Sequence, residues 1–62
     1  MKISTFNLTN RIAKELRFNT DDIEDIKMAE KAKARLENEG FNLKFTRAGL
    51  FSCTLGYVKF NQ

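Results

Sequence analysis

The chain has 62 residues, of which 11 are Lys or Arg and 8 are Asp or Glu, for a net charge of +3, with one cysteine, no histidine and no proline. These numbers bound the molecule to one domain and exclude Ser-His and Cys-His catalysis, histidine metal sites and an internal disulfide. A chain this short buries only about 60% of the surface its unfolded form exposes, so a homodimer is as natural an expectation as a monomer.

No stretch approaches the roughly 18 to 20 apolar residues that span a bilayer, and no apolar core of a signal peptide follows Lys2. The expectation is a cytoplasmic protein with no membrane partner and no cofactor. The charge is unevenly placed. Residues 1–20 carry four bases and one acid, residues 21–40 four bases and seven acids, and residues 41–62 three bases and no acid. Basic ends around an acidic middle point to a polyanionic partner for the ends.

Residues 2–6 read as a short strand or a lead-in. Thr9 or Asn10 suits the cap of a first helix, with Leu8, Ile12, Ala13 and Leu16 on its apolar side and Arg11, Lys14 and Arg17 on its basic side. Asn19, Thr20 and Asp21 form a second start signal. Asp21 with Glu24 reads as a variant capping box, and Asp21, Asp22, Glu24 and Asp25 lie where the helix dipole favours negative charge. From there strong helix formers run to Gly40, the expected stop.

The most strongly patterned stretch is Phe41 to Phe60. Phe41, Leu43 and Phe45 alternate with Asn42, Lys44 and Thr46, as in a strand with one buried face. Arg47-Ala48-Gly49 suits a three-residue hairpin loop with Gly49 in the left-handed region. That loop pairs Phe45 with Phe51, Leu43 with Cys53 and Phe41 with Leu55, and puts the second helix across this apolar face. Leu50, Val58 and Phe60 are left on the otherwise polar face. The expected fold is α+β: two helices, then a C-terminal antiparallel hairpin, with an optional N-terminal third strand and the long second helix on the sheet.

Ile12-Ala13, Leu16, Phe18, Ile23 and Ile26 match the spacing of buried positions in the helix-turn-helix class, which residues 9–28 resemble. The stretch departs from the pattern at Arg17, where the turn usually has glycine. The resemblance implies DNA contact by the second helix, but Asp21, Glu24 and Asp25 would face the polyanion and repel it. Nucleic-acid contact is therefore expected from other residues: Arg11, Lys14 and Arg17 of the first helix and Lys44, Arg47 and Lys59 of the acid-free hairpin.

The competing expectation is a protein-binding modulator, engaging a host protein through Leu50, Val58 and Phe60 with the acidic Asp21, Glu24 and Asp25. Both readings describe a small non-enzymatic regulator. The Lys-, Asn-, Ile- and Phe-rich composition suits a phage or mobile element. No catalytic and no metal-ligating group is expected, because the carboxylates of residues 21–25 lack the spacing and internal glycine of a calcium loop.

Overall fold

In the computed structural model, which describes residues 1–61, the order of elements is β1 (Lys2–Asn7), β2 (Arg11–Asn19), α1 (Ile23–Asn38), β3 (Asn42–Ala48) and β4 (Ser52–Phe60). All strand pairs are antiparallel, in one sheet of order β1-β2-β4-β3. The chain forms the β1–β2 hairpin and passes through α1. It then returns as β3 on the far edge, so that β4 closes the gap against β2.

This corrects the expectation of two helices before a hairpin. Residues 11–19 are a strand, and the only helix among the described residues is α1. The local sequence supports two periods here. Ile12, Ala13 and Leu16 repeat at helical spacing, whereas Ile12, Leu16 and Phe18 also share one side of a strand, with Lys14 among them. Pairing decides between them. As a strand, the segment pairs with β1 on one side and along its whole length with β4 on the other. The helix-turn-helix resemblance falls with the first helix.

The hairpin register is corrected as well. Thr46 lies opposite Leu55, Leu43 opposite Tyr57 and Ala48 opposite Cys53, with Lys44 as an extra residue in a bulge between Leu43 and Phe45. The turn sits later than expected, at Gly49 to Ser52 with Leu50 and Phe51 at its tip, where the Gly49 N–H donates to the Ser52 carbonyl at 2.7 Å. Gly49 does not have a positive φ; Gly40 is the one described residue that does. A four-residue turn slides Phe51 out of the strand pair into an exposed loop and brings Cys53 to Val58 of β4 into register with β3. The bulge at Lys44 also blunts β3, an edge strand that would otherwise offer a flat pairing surface.

The helix has firm ends. Asp22 is the N-cap and accepts hydrogen bonds from the backbone of Glu24 and Asp25. At the other end, the Phe41 N–H bonds the Leu36 carbonyl at 3.0 Å and the Gly40 N–H the Glu37 carbonyl at 3.1 Å, with Gly40 at φ +95°. This is a Schellman closure, and the contact of Phe41 with Leu36 is its usual apolar companion. The closure turns the chain back under the helix.

The core lies between α1 and one face of the sheet. Leu16, fully buried, packs with Ala29 and Ala32, flanked by Phe18 and Leu55; Tyr57, 1% exposed, packs with Leu36 and Phe41, flanked by Ile12 and Leu55. The alanines bring the helix backbone close to β2. The helix thus rests over β2 and β4: of the expected hairpin face, Phe41 and Leu55 pack beneath it, whereas Phe45 lies on the opposite side of the sheet and Phe51 in the loop. No described helix is long and apolar enough to cross a membrane.

Asp25 ties the layers together at one end. Its carboxylate accepts from the Asn19 backbone N–H at 2.7 Å and from the Met1 amino group at 2.6 Å. Those two contacts, the Asn19 hydrogen bond first, hold it below the ordinary aspartate value of 3.8. A depressed carboxylate contributes stability that is present above its unfolded pKa and is lost as pH falls through the lower folded value. Acid titration followed by circular dichroism should therefore show stability declining as pH drops below about 3.8. The Asp25→Asn variant should be less stable at neutral pH and should decline less steeply over that range.

The Tyr57 hydroxyl is buried without a hydrogen-bond partner among the described residues, and burial, followed by the Glu37 charge, raises its pKa. An unpaired buried hydroxyl costs about 1 to 3 kcal/mol. Tyr57→Phe keeps the ring and removes that cost, so thermal unfolding should show it at least as stable as the parent, by about 1 kcal/mol.

Candidate nucleic-acid interface

Alternation along the strands sends Ile12, Leu16, Leu55 and Tyr57 to the helix and leaves the other sheet face with no element over it among the described residues. Taken in sheet order, the register sets out its rows. Lys2, Arg17, Thr54 and Arg47 form one row; Ser4, Glu15, Gly56 and Phe45 the next; Phe6, Ala13, Val58 and Asn42 the third; and Arg11 with Phe60 begin a fourth. The face has three cations at one end and apolar residues with Arg11 at the other.

The basic end is concave. Lys2, Ser4, Glu15, Arg17, Arg47 and Thr54 line a depression of about 190 Å³, which continues past Arg17 and Arg47 to Ser52 and Gly49. Three cations from three different strands thus converge with two hydroxyls. Glu15 is the one carboxylate in the depression, and none of the three cations is in an ion pair: the one ion pair among the described residues is that of Met1 with Asp25.

Beside this row lies Phe45. Its ring covers Gly56, its cross-strand partner, so closely that a Cβ at position 56 would overlap the ring. Gly56 is buried by that ring, while Phe45 itself remains 39% exposed. The ring therefore packs against the Gly56 backbone and stays partly open to solvent, with the Arg47 guanidinium over it, 5.6 Å from its centroid. Phe6 and Phe60 are also exposed on this face.

The residues expected to contact nucleic acid divide by face. Arg11, Arg17 and Arg47 share the open face. Lys14 and Lys59 lie on the helix side, where their ammonium groups stand 5.6 and 5.9 Å from the Phe41 ring. Lys44 occupies the bulge of β3. The expected partner-binding residues do not converge either. Leu50 is 87% exposed in the β3–β4 loop, Val58 and Phe60 are on the open face, and Asp21 and Glu24 are exposed at the start of α1. Asp25 is buried and engaged with Met1 and Asn19, so its carboxylate is unavailable to a partner.

The sequence pattern did not assign Lys2, Ser4, Phe6, Glu15 and Phe45 to this surface. The one sequence signal for them was the alternation of Arg11, Ala13, Glu15, Arg17 as one side of a strand, which the helical reading concealed. Comparison of the chain with protein-family models, with curated proteins and with solved structures finds no match.

The Gly56–Phe45 contact makes a stability prediction. Gly56→Ala must lift the ring, at about 1 to 3 kcal/mol by analogy with other overpacked sites. In a Phe45→Ala background the clash is gone, and Ala at position 56 should be neutral or mildly stabilising. Urea unfolding of the four proteins of this cycle measures the coupling.

Proposed function

We propose that the protein is a non-enzymatic binding module for single-stranded nucleic acid, with the open sheet face as its binding surface. The observation that carries this reading is the row Lys2, Arg17, Thr54, Arg47 immediately beside the partly exposed Phe45 ring packed on Gly56. Phosphates need cations and hydroxyl donors spaced along a track, and bases need exposed aromatic faces on which to stack. A sheet presents both at fixed spacing, with strands about 4.8 Å apart. A flat four-stranded face does not enter a duplex groove readily, whereas unpaired bases can splay over it.

The charge distribution supports this orientation. Seven of the eight acidic residues fall at positions 21–39, in the turn before α1, in the helix and at its C-cap. The open face has Lys2, Arg11, Arg17 and Arg47 against Glu15 alone. A polyanion is therefore attracted to the sheet face more than to the helix layer, where acids and bases are mixed.

A second reading, protein binding, draws on the exposed Leu50 and Phe51 at the tip of the β3–β4 loop. It uses residues outside the basic face, so a protein partner held there would survive charge reversal on the sheet.

Fluorescence anisotropy with a labelled single-stranded oligonucleotide is the test. Log affinity should fall linearly with log salt, with a slope of about −2 for three phosphate contacts. Arg17→Glu with Arg47→Glu should weaken binding at least about tenfold and flatten that slope, and Phe45→Ala should weaken it roughly tenfold at every salt concentration. No binding by the parent protein at low salt removes the reading.

A further inference from the structure

Glu15 is the one acid on an otherwise basic face, and its position is specific. It lies directly across Gly56 from Phe45, in the row next to Lys2, Arg17 and Arg47, and it lines the same depression as they do. It is half-buried and takes no part in an ion pair among the described residues. A carboxylate there weakens attraction for phosphate, so its presence calls for a ligand group that a carboxylate recognises.

We propose that Glu15 reads the edge of a base stacked on Phe45 and makes the face prefer guanine; this rests on the nucleic-acid reading above. The Phe45 ring leans over Gly56, so its inner edge stands about one strand spacing, roughly 5 Å, from β2. A base lying on that ring presents its hydrogen-bonding edge to Glu15, while Arg17 and Arg47 hold the flanking phosphates. An ionised carboxylate only accepts hydrogen bonds, from up to two parallel donors. Guanine alone among the common bases places two donors side by side, N1–H and the N2 amine. Cytosine and adenine pair their amine with a ring-nitrogen acceptor, and the thymine or uracil N3–H lies between two carbonyls that the carboxylate repels. Ser4 and Thr54, on either side of the depression, supply hydroxyls for the guanine O6 or the sugar.

The experiment uses the full chain and labelled thymidine oligonucleotides roughly eight nucleotides long, unsubstituted or with one central deoxyguanosine, deoxyinosine or deoxyadenosine, titrated by anisotropy at one low salt concentration. Deoxyguanosine should bind about tenfold tighter than deoxyadenosine, as expected for a bidentate pair. Deoxyinosine, which keeps N1–H and lacks the amine, should fall between them. Glu15→Gln should abolish the preference while binding the unsubstituted oligonucleotide at least as tightly as the parent, since it removes a negative charge. Equal affinity of the parent for all four oligonucleotides, or a guanine preference undiminished in Glu15→Gln, overturns this inference and leaves the nucleic-acid reading standing. Failure to bind any of the four overturns both. Circular dichroism of Glu15→Gln confirms that the variant is folded.

Discussion

The fold depends on the pairing of β2 with β4. These two strands form the middle of the sheet, pair residue for residue from Arg11 with Phe60 to Asn19 with Ser52, and carry the two central core residues, Leu16 and Tyr57. Every other element is placed relative to them. β1 extends the sheet from β2, β3 from β4, and α1 spans the route between, covering the face that Leu16 and Tyr57 present. Because β2 and β4 come from opposite ends of the chain, the sheet assembles only after a long loop has closed, and the entropy of closing it is recovered by burial under the helix.

A single helix over a four-stranded sheet leaves one face bare, and the protein does not make that face uniformly polar. It gathers Lys2, Arg17 and Arg47 at one end with Phe45 beside them, places Phe6 and Phe60 with Arg11 towards the other, and keeps nearly all its carboxylates on the helix side. Gly56 is central to this arrangement. By omitting a side chain it allows Phe45 to pack against the sheet, which buries the weak backbone position of a strand glycine and leaves part of the ring exposed on this face. One contact thus serves both the sheet and the proposed binding surface.

The proposed recognition has a division of labour that follows from this layout. Cations from three strands fix where a phosphate track runs, the ring fixes where a base lies, and the lone carboxylate between them selects which base is held. The strength of the first two is insensitive to base identity, whereas the last has no effect unless the first two have placed the base. Specificity in such a surface rests on register, since a slip of one residue in β2 would send Glu15 to the core and Leu16 to the ligand.

The amino-acid sequence by itself determined the elements whose causes are local. The acidic start, the run of strong helix formers and Gly40 lie within the helix or at its ends, and their capping and turn chemistry acts over a few residues. The same holds for the segregation of acids into residues 21–39 and for a turn near Gly49. Tertiary structure alone decided that residues 11–19 are a strand, that the hairpin pairs Thr46 with Leu55, and that Arg17, Arg47 and Lys2 stand in one row. The reason is that Ile12, Ala13, Leu16 and Phe18 satisfy a helical and a strand period almost equally. The energy difference comes from partners far along the chain: β4 for the backbone hydrogen bonds, and Ala29 and Ala32 for the burial of Leu16. The open face inherits that dependence, since a binding surface drawn from all four strands exists only once their order and register are set.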